Sequence, residues 1–297
     1  MKQLLSENDI EILQTEKPAG YGWIEVKTPL ATAKVALLGA TLTEWTPAGH
    51  SPVIFTSESA IFKEGKGIRG GVPLCWPWFA VHPDPDKADW PNHGFVRQQY
   101  WELESFHVID KDRVELIFKA PIHKHKLFPH AFELRCRYVI GSELDISLIT
   151  ENIGHEPFTF GGALHTYFTV ADIDKTFIDG LDGVDYLDKV TGYERKSQQG
   201  PITISSEVDR IYLDTQATCT IHDTIGQRSI LISKKGSNTT VVWNPWIDKS
   251  AAMSDLGDKE YQNFVCVETV NAFEDSITLA SGTSHTLSQI LQIKSNK

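Results

Sequence analysis

Apolar and polar positions alternate in short runs along most of this chain. The clearest run is AFELRCRYVI at 131–140, where Phe132, Leu134, Cys136, Tyr138 and Ile140 alternate with Glu133, Arg135 and Arg137. Successive side chains of a strand point to opposite faces, so this predicts a half-buried strand with one wet face. LDISLIT at 144–150 follows across Gly141-Ser142, and the two runs read as a hairpin. The strand signal begins at Tyr21 and includes ATAKVALLGATLTEWTP at 31–47, with Gly39 as a bend or bulge. Further strands are predicted at 100–104, 114–120, 201–205, 217–222, 229–233, 239–246, 263–270 and 285–294. The run PFTFGGALHTYFTV at 157–170 joins them, and a Gly/Asp-rich connection spans 178–188. Near the N-terminus, Leu4, Leu5, Ile12 and Leu13 have a weak helical spacing, which predicts a short helix over 3–15. There is no repeat of 20–50 residues and no low-complexity tract. Regularly spaced strands with hardly a long amphipathic helix predict an all-β fold, a large antiparallel β-sandwich forming one domain over 1–297.

One stretch breaks the pattern. Gly67–Arg97, GIRGGVPLCWPWFAVHPDPDKADWPNHGFVR, sits in a region holding seven of the chain's 14 prolines between positions 47 and 91. Proline has no N–H to donate to a ladder, so an irregular but ordered loop is predicted here. The loop carries Arg69, His93, Arg97, Trp76, Trp78 and Trp90. Gly70, Gly71 and Gly94 stand beside the cations, where the missing side chains would let a ligand approach the backbone. Cations and aromatics on a long loop over a β scaffold predict a binding site.

Composition narrows the partner. The formal net charge is −11, which argues against nucleic acid or an anionic membrane surface as the main partner. A small anion is still compatible if cations gather locally. Lys63, Lys66, Arg69 and Arg97 are candidates, although Lys63 and Lys66 also read as a solvated rim. Cys75, Cys136, Cys219 and Cys266 form no CxxC pair, and Cys136 and Cys266 lie in apolar strand patterns as buried thiols. The N-terminal MKQLLSENDIEILQTEK lacks an apolar run of signal-peptide length, and no stretch approaches ~20 apolar residues. The expected location is the cytoplasm, in a reduced compartment.

Two residues are chemically out of place. His165 lies in GGALHTYF among Leu164, Tyr167 and Phe168, and is either a satisfied core histidine or a site residue. In FVCVETV, Glu268 shares a strand face with Phe264 and Cys266, opposite Val265 and Val267. A carboxylate there needs a buried partner or a task, because an unpaired buried charge is costly. If tertiary structure brings the two together, they supply one general acid and one general base. Other candidates have plain alternatives. Trp243 and Trp246 can stack on a sugar or simply pack; Asp248, Lys249 and Asp255 can brace a loop by ion pairing. His123, His125 and His130 lack a partner at metal-ligand spacing, and Asp84 and Asp86 with Pro83 and Pro85 read as turn chemistry.

The motifs GIRGGVPLCWPWF, NHGFVR, LHTYF, DRIY, VVWNPW and CVET, in this order, resemble those of the hexose-6-phosphate mutarotases (glucose-6-phosphate 1-epimerases). These belong among the aldose-1-epimerase-like β-sandwiches of the galactose-mutarotase type. The resemblance covers roughly residues 20–295, and RGG(I/V)P and WNPW are the motifs most specific to the phosphosugar branch. It implies an isomerase that interconverts the α and β anomers of an aldohexose 6-phosphate, most simply glucose 6-phosphate. His165 would protonate the ring oxygen and Glu268 would take the proton from the anomeric hydroxyl. Arg69 and Arg97 would grip the 6-phosphate, and Asn92, His93 and Asp209 would contact the sugar. Proton transfer alone suffices, so neither metal nor cofactor is implied, and the oligomeric state stays open. Two positions depart from the pattern: Asn92 stands where glutamine is common, and Thr269-Val270 follow the glutamate where some relatives have Pro-Gly. Two other readings are an aldose 1-epimerase for unphosphorylated sugar and a non-catalytic phosphosugar sensor; a retained acid–base pair argues against the second.

Overall fold

The computed structural model describes residues 1–7, 9–16, 22–82 and 84–295. Its two large sheets are antiparallel. One has nine strands and includes Phe132–Ile140, Leu144–Asn152, Arg228–Lys235 and Ser284–Ser295. The other has eight and includes Gly162–Leu164, Tyr167–Thr169, Val208–Tyr212, Thr239–Asn244 and Phe264–Asn271. A five-stranded sheet of the first 47 residues and the two-stranded pair Phe158–Phe160 with Ile277–Leu279 complete the β structure. Leu148, Leu287 and Leu291 from the nine-stranded sheet meet Leu164, Val265 and Val267 from the eight-stranded one in the main core. This is the predicted sandwich.

The hairpin forms as expected, with a three-residue connection at 141–143 and Leu144 opposite Ile140. Its wet face carries charge pairs: Arg135 with Glu104 and Glu133, and Arg137 with Glu115 and Asp145. All four cysteines are buried free thiols. Tyr21 and Pro83 lie outside the described residues.

The predicted N-terminal helix is instead a pair of strands, Lys2–Glu7 and Ile10–Glu16. Ile10 and Ile12, two apart, are both fully buried, and Ile12 lies opposite Val26 of the next strand. A ready strand edge at Gly22–Lys27 favours period-two burial over a helical spacing that has too few apolar positions to bury a face.

The proline-rich loop is irregular apart from the two-residue strand Leu74–Cys75 and two 3₁₀ turns. Asp84 caps the first turn by accepting a hydrogen bond from the Asp86 N–H at 3.1 Å. Its tryptophans anchor it. Trp76 is fully buried among Phe95, Phe128, Phe132 and Phe160. Trp78 donates through Nε1 to the Pro91 carbonyl at 2.9 Å and packs on Trp90. The glycines serve chain crossings rather than ligand approach. Gly94 has φ of 69° and a Cβ there would lie 1.8 Å from the Trp76 carbonyl oxygen; Gly70 has φ of 103° and would meet Thr56 Cα at 2.5 Å. Each therefore lets two backbone segments touch, and the Gly94 crossing fixes where His93 and Arg97 project.

Candidate active site

Asp209 and Glu268, the strand residues singled out for the site, sit on the face of the eight-stranded sheet that points away from the main core. Strand Phe264–Asn271 alternates cleanly: Val265 and Val267 enter the core, while Phe264 and Cys266 join a second apolar cluster on the outer face. Glu268 follows them outward, as its position two residues on from Cys266 requires. Residues 162–169 run antiparallel beside it, with Leu164 opposite Thr269 and Tyr167 opposite Cys266. The register carries straight through the unpaired residues between, so His165 falls opposite Glu268. His165 Nε2 lies 3.4 Å from Glu268 Oε1. On the next strand, Val241 is opposite Glu268 and Trp243 opposite Cys266, and Asp209 is opposite Trp243. Two rows of side chains thus form the floor of a cavity of about 290 Å³.

All seven residues singled out for the site, Arg69, Asn92, His93, Arg97, His165, Asp209 and Glu268, line this one cavity. Trp243 lines it too, edge-on to His165, whereas Trp246 packs against Tyr261 and is not among the lining residues. Lys63 and Lys66 are exposed and do not line it. Arg69 donates through Nε and Nη2 to Asp255 at 3.1 and 3.2 Å and through Nη1 to the Tyr167 hydroxyl at 3.1 Å. Its fork is fixed, with two N–H groups left over. Arg97 is different: Nη2 donates to the Asn92 carbonyl at 3.0 Å, and the buried Nε has no acceptor. Among the described residues no carboxylate pairs with it. An unsatisfied buried guanidinium N–H requires an acceptor from elsewhere. His93 accepts the Ala80 N–H at Nδ1, 3.2 Å away. Burial and Arg97 hold this ring neutral, well below the usual histidine range, so its proton is on Nε2.

Three contributors were not visible in the sequence. Lys189, in the 3₁₀ turn Lys189–Thr191, lines the cavity with Nζ 2.7 Å from Asp209 Oδ2. Tyr167 stacks on His165 with ring centroids 5.0 Å apart, linking it to Arg69. Gln289, fully buried on the opposite sheet, accepts from Thr166 at 2.6 Å and donates to the Val267 carbonyl and the Thr269 hydroxyl at 3.1 and 3.0 Å. It therefore ties down the neighbours of both His165 and Glu268 from behind. HTLSQILQIK presents Gln289 as an ordinary polar strand residue, and only the packing of two sheets reveals its place.

Burial sets the protonation of the central pair. It pushes His165 down to about 3, with Arg97 adding to the effect. It pushes Glu268 well above the ordinary carboxylate range, helped by Asp209 and opposed by Lys189 and Arg97. A neutral imidazole and a protonated carboxyl together hold one proton. His165 Nδ1 and Glu268 Oε2 are buried with no hydrogen-bond partner, as expected of groups that await a ligand.

This burial has a measurable cost. Above pH ~4.5 the unfolded chain releases the Glu268 proton while the native state keeps it, so native stability falls as pH rises towards the raised native pKa. Glu268→Gln removes that loss. Its melting temperature should exceed the parent's by about 2 °C or more at pH 8, with the difference shrinking towards pH 4.5. Thermal melts across this range test it; a gap that is constant with pH would contradict the assigned direction.

His165, Cys266 and Glu268 bring ligand atoms within 4.8 Å of one another, the one such group among the described residues. His123, His125 and His130 do not form another; His125 instead stacks on Phe95. The trio does not suit a dication, because burial keeps the Cys266 thiol protonated and Arg69, Arg97 and Lys189 line the same cavity. No helix among the described residues is long and apolar enough to cross a membrane.

A histidine in contact with a carboxyl group, sharing a cavity with two guanidinium groups on the outer face of a β-sandwich sheet, is an arrangement suited to proton transfer. The family model described as aldose 1-epimerase matches residues 23–292. A Cenchrus ciliaris protein provisionally named glucose-6-phosphate 1-epimerase is 37% identical over 280 residues, covering 86% of this chain and 83% of that one. An Escherichia coli K12 protein with the same provisional name is 38% identical over 266 residues, covering 89% and 87%. Among solved structures, a Salmonella typhimurium protein provisionally described as a mutarotase is similar with a TM-score of 0.88 and 32% identity, covering 99% of this chain and 96% of that one. The chain belongs to the aldose 1-epimerase family.

Proposed function

We propose that this protein is an isomerase that interconverts the α and β anomers of an aldohexose 6-phosphate, most simply glucose 6-phosphate. The reading rests chiefly on the 3.4 Å contact between His165 and Glu268 at the floor of a cavity that Arg69 and Arg97 also line. Ring opening delivers a proton to the ring oxygen and removes one from the anomeric hydroxyl, so the pair must carry one proton in total. The resting pair does. Transfer of that proton from Glu268 to His165 across their contact gives a cationic acid and an anionic base. His165 then protonates the ring oxygen while Glu268 accepts the anomeric proton. The aldehyde rotates about its C1–C2 bond and recloses with the transfers reversed, which leaves the enzyme as it began.

The remaining cavity residues hold the substrate. Arg97, with its unpartnered Nε, and the two spare N–H groups of Arg69 suit a phosphate. His93 offers an Nε2–H and Asn92, exposed at the cavity edge, an amide; Asp209 offers a carboxylate to sugar hydroxyls. The shared name of the plant and Escherichia coli relatives favours the 6-phosphate over a free aldose.

NMR exchange spectroscopy of anomer interconversion, with glucose 6-phosphate and glucose at equal concentration, tests this directly. Acceleration of the phosphosugar alone is expected. Equal acceleration of glucose would move the protein to the unphosphorylated aldoses, and binding without acceleration would make it a sensor.

A further inference from the structure

Mutarotation passes through an open-chain aldehyde, and the cavity that would form it is lined by two primary amines, Lys189 and Lys249. An unprotonated amine attacks such a carbonyl at C1. Its lone pair forms the C–N bond, the carbonyl oxygen takes up a proton, and loss of water leaves an imine. Proton migration from C2 of a 2-hydroxy imine then yields a stable 1-amino-2-ketone, and the enzyme would stay blocked. An ammonium has no lone pair and is inert. Both lysines line the same cavity of about 290 Å³ as His165 and Glu268.

Both amines are capped by carboxylates from one stretch of chain. Lys189 Nζ is 2.7 Å from Asp209 Oδ2, and Lys249 Nζ is 2.5 Å from Glu207 Oε1. Glu207 immediately precedes the strand Val208–Tyr212 that carries Asp209, so one short stretch of chain supplies both carboxylates. Lys189 is the exposed chemical weakness, because it is the more buried of the two, with 23% side-chain exposure against 43%. Burial alone would lower the Lys189 pKa and free its lone pair; Asp209, with smaller help from Tyr193 and Glu268, holds it above that of an ordinary lysine instead. His93 and His165 face it as neutral rings, and Arg69 and Arg97 share the cavity as cations.

We propose that Asp209 is a guard as well as a sugar contact: its ion pair with Lys189 keeps the cavity's half-buried amine protonated, so that the enzyme is not captured by its own aldehyde intermediate. The intermediate rests on the function proposed above, whereas the protonation of Lys189 does not, and the test separates the two.

Wild type, Asp209→Asn and Asp209→Asn/Lys189→Met are incubated at pH 7 with sodium cyanoborohydride and either glycolaldehyde or glucose 6-phosphate. Glycolaldehyde needs no ring opening. Adducts at each lysine are then read by peptide mass spectrometry. Asp209→Asn should label at Lys189 about 10-fold or more above wild type, the effect of lowering an amine pKa by one unit, and the double variant should lack that adduct. Equal labelling of wild type and Asp209→Asn by glycolaldehyde would overturn the proposal. Labelling of Asp209→Asn by glycolaldehyde leaves the guard standing whatever glucose 6-phosphate does, whereas failure of the wild type to accelerate anomer exchange would count against the ring-opening function alone. Wild type supplies a test that needs no variant: the pH midpoint of Lys189 labelling should lie above that of a free N-acetyl-lysine amide labelled in the same tube. A lower midpoint at Lys189 would also overturn it.

Discussion

Glu268→Gln is expected to lower anomer interconversion of glucose 6-phosphate by ~100-fold or more while the fold persists, the scale of losing a general base. Glutamine has nearly the shape of the acid but cannot ionise, so His165 loses its source and sink of protons. The effect should fall on turnover, with substrate binding little changed, because Glu268 lies at the 1% exposed floor of the cavity and glutamine keeps its shape. Exchange rates and binding isotherms for the two proteins measure both quantities. A near-parental rate would remove Glu268 from the chemistry. The same variant is predicted to be more stable at alkaline pH, so lost activity with raised stability is a signature that unfolding cannot imitate.

Arg97→Met is expected to weaken glucose 6-phosphate binding by about 10- to 100-fold, corresponding to ~1.5–3 kcal/mol for a hydrogen bond to a charged group. Methionine keeps much of the apolar stem and removes only the guanidinium. Arg97 is the better choice than Arg69 because its Nε is unpartnered, whereas Arg69 is braced by Asp255 and Tyr167. Truncating Arg69 would leave the half-buried Asp255 carboxylate unpaired and disturb the tyrosine stacked on His165. Residual acceleration of an unphosphorylated aldose should be little affected by Arg97→Met. Equal loss on both sugars would show that Arg97 does not bind the phosphate.

The two variants probe different rows of the same cavity. Glu268 is placed by strand pleat and register, which admit only two orientations per residue. Arg97 is placed by an irregular loop held by the Gly94–Trp76 crossing and the aromatic packing around Trp76. Errors in the first would invert the side chain; errors in the second would move it by small, continuous amounts. The phosphate end therefore depends more on the loop's anchors than the acid–base end does.

Much of this was legible in the chain. The alternation at 131–140 determined a strand with a wet face, and the pleat of FVCVETV put Glu268 on the side away from Val265 and Val267. The ordered motifs brought out all seven cavity residues singled out at the start. Where local pattern was weak, it misled. Residues 3–15 read as helix because spacing alone cannot show a waiting strand edge, and Gly70 and Gly94 read as openings for a ligand although each accommodates a backbone. Tertiary structure alone decided that His165 stands opposite Glu268, that Lys189 meets Asp209, that Gln289 holds the chain neighbours of His165 and Glu268 from the other sheet, and that Asp255 occupies Arg69. Sequence fixes which face of a strand a residue takes, because the pleat is local. It does not fix which residue of a distant strand stands opposite, because that register is set by the packing of the whole sandwich.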